Sequence, residues 1–286
     1  MHRREVRSCQ SCGWMDCWVV LLLQRRFSVK HIFLVSEGQT DFEVLKAIIE
    51  KVLGEKYGGC TITPLFPNNQ PDEDHGGWGN LRNWCRRQAN TLVVHQGKLT
   101  AAKLLGGVKA EGLSTSRPSG DRLTAALALH GDGNSRIVIQ LDTDVAEEFS
   151  TANDLSKFSF PLTASNRETL GKIALDEWLG QHSLKNGSSM IYCLSTHATE
   201  TFLLSMFSQE KVANSLGHTG CNLNYDDLPK PERLLLAFGY AGKNVGGVRK
   251  LKKEVDRYRE YSKGFATNLA MARGNSKILD KFCDLL

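Results

Sequence analysis

Residues 32–41 of the chain read Ile-Phe-Leu-Val-Ser-Glu-Gly-Gln-Thr-Asp, an apolar run that ends in a carboxylate and a glycine. Because the run shows little alternation of apolar and polar residues, it indicates a strand that is covered on both faces. Apolar residues at helical spacing follow, and Thr40 with Glu43 has the spacing of a capping box. The stretch therefore predicts a strand, a glycine turn and a helix.

A second stretch, residues 137–144, reads Ile-Val-Ile-Gln-Leu-Asp-Thr-Asp and ends in carboxylates in the same way. The four strands that we predict cover residues 30–35, 60–65, 136–141 and 189–194, with helical patterns between them. Strands that alternate with helices form parallel sheets. We therefore expect an α/β fold with a mostly parallel, Rossmann-like sheet and helices on both faces.

The 286 residues divide into three parts by pattern. Residues 1–29 show no recognisable period and are expected to be poorly ordered or wrongly included; a hypothesis that intact mass would test is that translation starts at Met15 or later. Residues 30–215 form the predicted catalytic domain, with a helical insertion over 68–133 between strands two and three. Residues 216–286 read as a helical C-terminal region.

Composition excludes few classes of protein. The net charge of +5 permits a nucleic-acid partner without requiring one. No apolar stretch approaches the roughly 20 residues of a membrane-spanning helix, and none resembles a signal peptide. The eight cysteines are scattered, as in reduced cytosolic proteins. We expect a cytoplasmic protein.

The carboxylates that follow strands one and three are the candidate chemistry. In open α/β sheets, ligands bind beyond the carboxyl ends of the strands. Glu37 lies there, and so do Asp142 and Asp144, which as alternate residues point the same way. Oxygen ligands of this kind suit Mg²⁺ or Mn²⁺, and such ions support phosphoryl chemistry. Either motif alone is better explained by helix capping; the two together favour a metal site.

The pair of motifs, Val-Ser-Glu-Gly-Gln-Thr-Asp and Ile-Gln-Leu-Asp-Thr-Asp, resembles the Toprim domain of topoisomerases, primases and OLD-type nucleases. The resemblance covers about residues 30–195, interrupted by an insertion that a minimal Toprim domain lacks. It implies that Glu37 is a general acid/base or a metal ligand and that Asp142 and Asp144 hold Mg²⁺.

The chain's length, insertion and C-terminal region look most like small bacterial Toprim-like effector nucleases of phage-defence systems. That likeness implies a toxic, metal-dependent endonuclease that cleaves DNA or RNA, with tRNA among the candidate substrates, and a separately encoded ATPase sensor as partner. Nucleases of this type often add an acid after strand four, which here is Glu200; helix-dipole stabilisation explains Glu200 equally well. Asp41, in the first turn of its helix, is given a secondary role at most. The oligomeric state, a homo-oligomer included, stays open.

Two basic segments are candidate nucleic-acid contacts. Arg82, Arg86 and Arg87 lie on a predicted helix of the insertion, and Lys252 and Lys253 lie on a helix predicted over residues 247–261. Lysine and arginine supply most of the affinity for phosphate backbones. A solvated helix face is the commoner explanation for the segment with the two lysines.

Several other functions are weighed against the nuclease. A topoisomerase needs a nucleophilic tyrosine in a separate domain, a primase normally brings a zinc module, and no Gly-x-x-x-x-Gly-Lys-Ser/Thr motif for ATP occurs. Two rivals remain, a non-catalytic binding module that works with a partner ATPase and a phosphohydrolase acting on nucleotides. An activity that disappears in Glu37→Ala while the fold survives would exclude the binding module.

Overall fold

The computed structural model describes residues 30–67, 76–89, 123, 135–180, 190–218 and 222–286. The predictions for residues 1–29 and for most of the insertion fall outside these ranges. Among the described helices, none combines the length and apolarity that a membrane crossing requires.

The sheet has four strands, all parallel, in the order β2-β1-β3-β4. The predicted α/β fold with a parallel sheet is confirmed, and every predicted strand end lies within one residue of the observed one. The apolar runs were sufficient for this because central parallel strands are buried on both faces. The strands are β1 (Lys30–Val35), β2 (Cys60–Phe66), β3 (Ser135–Asp142) and β4 (Met190–Ser195).

Helices occupy the connections and most of the C-terminal region. They are α1 (Gln39–Tyr57), α2 (78–89), α3 (Ala146–Phe149), α4 (Ala152–Leu155), α5 (Ala164–Trp178), α6 (Glu200–Ser205), α7 (Gln209–Leu216), α8 (Pro231–Ala237), α9 (Val255–Ser262), α10 (Phe265–Asn275) and α11 (Lys277–Leu285), with a 3₁₀ turn at Tyr225–Asp227.

Alternate residues of β1 enter two different cores. Ile32 and Leu34 pack with α1 and the C-terminal helices on one face of the sheet. Phe33 and Val35 pack with α2 and α5 on the other face. Helices therefore cover both faces, and the carboxyl edge of the sheet is left to form a site.

The predicted capping box at the start of α1 is wrong. The helix begins at Gln39, its N-cap is Gly38, and no side chain caps it. Gly38 allows a close approach instead, because a Cβ at this position would lie 3.0 Å from Asp41 Oδ2. The turn residue thus brings a carboxylate of α1 back toward the strand end.

The helix predicted over residues 247–261 is also wrong in its first half, so the C-terminal region is not purely helical. An antiparallel hairpin, β5 (Gly242–Val245) and β6 (Val248–Leu251), precedes α9. Gly246 and Gly247 form its turn at φ of 59° and 78°, the left-handed backbone that two-residue hairpin turns require.

Candidate active site

The acids of the two strand ends contact each other across the sheet. β1 and β3 are neighbours, so Glu37 and Asp142 emerge side by side at the carboxyl edge. Glu37 Oε2 accepts a hydrogen bond of 3.0 Å from the backbone N–H of Asp142. The structure therefore brings together the two motifs that the sequence singles out.

Gln140 is the bridge that sets the distance between these acids. Its Oε1 accepts from the Glu37 backbone N–H at 2.8 Å, and its Nε2 donates to Asp142 Oδ1 at 2.7 Å. The side chain is fully buried, so both ends need such partners. Sequence reasoning missed this role, although a glutamine within a buried apolar strand is itself a signal.

Hydroxyl groups complete the support of Asp142. Ser195 Oγ donates to Asp142 Oδ1, and Thr199 Oγ1 lies 3.2 Å from the same oxygen. All hydrogen bonds that the described side chains make to the Asp142 carboxyl go to Oδ1. This arrangement fixes the side chain and leaves Oδ2 for another ligand.

Asp41 and Glu200 bring two further carboxylates to the cluster. Both are buried, with 6% and 1% of their surface exposed. One oxygen of each, Asp41 Oδ1 and Glu200 Oε2, has no hydrogen-bond partner among the residues that the structure describes. A buried carboxylate oxygen without a partner is costly, so these two atoms are suited to accept a cation or a hydrogen-bond donor.

The acids repel one another in the metal-free protein. Burial, helped by the charges of Asp41 and Asp144 and opposed by a hydrogen bond from the backbone of Asp142, raises the pKa of Glu37 to about 8. Burial likewise raises the pKa of Asp41 to about 6, with Glu200 adding to the effect. Paired carboxylates with raised pKa values are typical of catalytic sites.

Asp142 and Asp144 differ in exposure. Burial raises the pKa of Asp142 well above its usual range, and the charges of Asp41, Glu37 and Glu200 act in the same direction. Asp144 is exposed, and partial desolvation raises the pKa of its carboxyl. Asp144 therefore lies on the solvent side of the cluster, and Asp142 lies deeper within it.

The C-terminal region supplies a cation to this cluster. Lys253 Nζ lies 2.9 Å from Glu200 Oε1, and the Tyr258 hydroxyl donates to the same oxygen. Desolvation alone would lower the pKa of Lys253, but Glu200 and Asp41 outweigh it and raise the pKa. Lys252, predicted alongside Lys253 as a nucleic-acid contact, pairs instead with Glu254 at 2.6 Å.

The start of α2 lies against Glu37. The backbone N–H of Gly77 donates to the Glu37 carbonyl at 2.9 Å, and that of Trp78 donates to its carboxyl. Arg82 stacks over the Trp78 ring at 5.2 Å, so this predicted contact residue reaches the rim of the site.

The other two arginines of α2 are placed differently. Arg86 pairs with Glu177 of α5 at 3.4 Å, and Arg87 has an exposed side chain further along the helix. Arg86 is thus directed to α5.

Arg167 orders the segment after β3. Its Nη1 donates to the carbonyls of Thr143 and Asp144 at 2.7 and 3.0 Å, and the guanidinium pairs with Glu147. Desolvation and the nearby Arg167 charge lower the pKa of His197, which favours a neutral imidazole. Arg167 was not predicted as a site residue, because the helix that bears it is separated along the chain from the residues that it contacts.

A groove of about 860 Å³ opens beside the acids. Its wall combines carboxylates of the cluster with cations of the C-terminal region. The charged residues on it include Asp144, Glu200, Lys230, Arg233, Lys243 and Lys253.

The carboxylates fit a partly hydrated cation better than a closed cage. Within residues 30–67, 76–89, 123, 135–180, 190–218 and 222–286, no three His, Cys, Asp or Glu side chains are gathered as a ready-made metal site. Mg²⁺ normally takes only one or two carboxylates and completes its shell with waters and phosphate oxygens. Glu37, Asp142 and the unpartnered oxygens offer that donor set.

Comparison with family models, curated proteins and solved structures finds no match to this chain.

Proposed function

We propose that the chain is a Mg²⁺-dependent nuclease of the Toprim type that hydrolyses phosphodiester bonds in nucleic acid. One observation carries the proposal: the acids of two neighbouring strand ends converge with Asp41 and Glu200, and two buried carboxylate oxygens there lack partners. Parallel sheets place ligand sites at this edge.

Glu37, Asp142 and Asp144 are the residues that would hold the ion. Asp142 directs one oxygen to its protein donors and keeps the other free, and Glu37 is held beside it by Gln140. When bound, Mg²⁺ supplies charge that polarises a phosphoryl group and stabilises the leaving oxygen. The oxygen-only donor set agrees with that choice of metal.

Glu37 is also the best placed residue for proton transfer. Its carboxyl lies beside Asp142 and next to the proposed ion, where a carboxyl group can exchange a proton with a reacting oxygen. As a carboxylate it would accept a proton from the attacking water, and as an acid it would return one to the leaving oxygen. Gln140 holds the backbone of Glu37 by a hydrogen bond, so the Glu37 carboxyl is attached to a fixed point of the chain.

The charge around the acids favours a polymer over a single nucleotide. Lys253 faces the cluster, Arg82 stands at its rim, and further cations line the groove. A groove with spaced cations matches spaced phosphates. Arg86 and Lys252 contribute less to this proposal, because each already has an acidic partner.

The test is cleavage of plasmid DNA, single-stranded DNA and total RNA including tRNA, with Mg²⁺, Mn²⁺ or EDTA. Glu37→Gln and Asp142→Asn are expected to reduce cleavage by about 100-fold or more. Glu55→Gln, an exposed acid at the far end of α1, is the matched control and should cut normally. Cutting that persists in EDTA, or in both site variants, would refute the proposal.

A non-catalytic binding module is the second candidate. The observation that favours it is the Lys253–Glu200 contact, which neutralises part of the cluster without a metal. In that case no substrate is cut under any condition, and Mg²⁺ leaves the unfolding midpoint of the protein unchanged.

The resemblance to phage-defence effectors also suggests a role for the nuclease in the cell. We infer a toxic effector that a separately encoded ATPase holds silent or triggers. Expression without that partner should slow growth, and Glu37→Gln should abolish the toxicity while the protein accumulates to the same level.

A further inference from the structure

The hairpin β5–β6 displays two lysines directly opposite each other. The antiparallel register pairs Lys243 with Lys250, so both side chains leave the same face. Both are exposed, and within the part of the chain that the structure describes neither has an acidic partner. Like charges directly opposite in a hairpin destabilise it. An arrangement that costs stability in this way points to an anionic ligand.

The next pair on that face is apolar and also exposed. Val245 lies opposite Val248, and their side chains are 43% and 54% exposed. Exposed large apolar side chains at a loop tip often mark a binding surface. Phosphates flanked by sugars and bases present the matching alternation of charge and apolar surface.

The opposite face of the hairpin is anchored to the protein. Leu251 is buried in the main core, and the Lys252 backbone N–H donates to the Ala241 carbonyl at 2.8 Å. Arg249 covers Gly242, where an added Cβ would lie 2.7 Å from its Nε. The hairpin is therefore held in place while Lys243 and Lys250 stay exposed to solvent.

The hairpin is continuous with the acidic site. Lys243 and Lys250 line the same groove as Asp144 and Glu200. Lys253, two residues after β6, reaches Glu200 itself. A strand lying on the hairpin would thus lead directly to the carboxylates.

We propose that the hairpin Gly242–Leu251 is a contact arm for a nucleic-acid strand. Lys243 and Lys250 bind its phosphates, and Val245 with Val248 contacts the sugars or base edges between them. This inference deepens the proposed function and rests on it, since it identifies how a polymer is held against the acids.

The experiment measures binding without cleavage, in a Glu37→Gln background. Fluorescence anisotropy follows a short labelled single strand and its duplex as salt is raised between about 50 and 200 mM. Lys243→Ala/Lys250→Ala should weaken binding and lower the slope of log K against log salt by about 1.4 for a single strand. Val245→Ser/Val248→Ser should weaken binding with an unchanged slope.

The matched control is Lys46→Ala/Lys51→Ala, which removes the same charge from the outer side of α1. An equal loss of affinity in the control, or no loss in the hairpin variant, overturns the inference. So does a parent protein that binds no nucleic acid, or that binds anionic lipid vesicles in its place.

Cleavage by the protein without any substitution tests the proposed nuclease function by itself. A failure of that proposal is therefore distinguishable from a failure of the hairpin proposal. Circular dichroism and the unfolding midpoint show whether each variant is folded. Removing two opposed lysines should leave the stability equal or raise it.

Discussion

Glu37 gives the stability of the metal-free protein a definite dependence on pH. Burial raises its pKa from 4.5 to about 8, so between those values the native state holds a proton that the unfolded chain releases. The native state binds more protons there, and the free energy of unfolding must fall as pH rises through the window. Each unit of pKa difference corresponds to about 1.4 kcal/mol. Unfolding by urea in EDTA at about pH 5 and pH 8 measures this change.

Glu37→Gln should flatten that dependence and make the metal-free protein more stable near pH 8. Glu55→Gln, whose side chain is 63% exposed, should leave the slope as it is. If the free energy of unfolding of Glu37→Gln depended on pH as steeply as that of the unaltered protein, Glu37 would be ionised over this pH range. Hydrogen-bond donors would then offset the cost of burying its charge.

Gln140 tests whether the bridge between the two motifs matters. Gln140→Met keeps the volume and removes both hydrogen bonds, which leaves the Glu37 N–H and an Asp142 oxygen with fewer partners in a buried place. We expect the free energy of unfolding to fall by about 1–3 kcal/mol and cleavage to fall more than the folded fraction. Gln209→Met is the control: Gln209 also makes two hydrogen bonds, both to the backbone of Leu223, so the variant should lose stability without losing activity.

At the scale of elements, the sequence predicted the strands well and the C-terminal hairpin badly. Buried parallel strands have apolar runs as their sequences, and each strand ends where its run ends. The hairpin was hidden because Val248, Leu251, Val255 and Tyr258 recur at helical spacing although only the last two lie on a helix. The pair Gly246 and Gly247 at its turn is the sequence feature that indicates a hairpin instead. Gln140, Thr199 and Lys253 could not be placed, because their partners are distant in sequence.

The hairpin turn offers a test of how far the element supports the site. Gly247 has φ of 78°, a conformation in which a β-branched residue is strained by about 1–2 kcal/mol. Gly247→Val should therefore destabilise the hairpin and reduce cleavage. Gly54→Ala is the matched glycine control: it lies within α1 with open space around a new Cβ, so it should be neutral or stabilising. Equal effects of the two changes would mean that the hairpin conformation is irrelevant to activity.

At the scale of the molecule, the C-terminal region packs as part of the sheet's own core. Its helices share a hydrophobic cluster with β1 and α1. Polar contacts reinforce the packing: Arg259 forms two hydrogen bonds to Glu43, and Asp226 accepts from Ser276 and from the backbone at the start of α11. This packing is what carries Lys253 and Tyr258 to the acids, so the site is assembled from both ends of the described chain.

Lys253 therefore links the C-terminal region to the proposed metal site. Lys253→Met removes the cation beside Glu200 and leaves that buried carboxylate with less compensation, so the protein in EDTA should lose about 1 kcal/mol of stability. Mg²⁺ should raise the unfolding midpoint of this variant by more than it raises that of the unaltered protein, because the ion replaces the positive charge of Lys253. Lys252→Met is the control, since its partner Glu254 is only half-buried and lies outside the cluster. Thermal unfolding with EDTA and with Mg²⁺ measures both variants. Identical responses of the two would show that Lys253 is not coupled to binding of the ion.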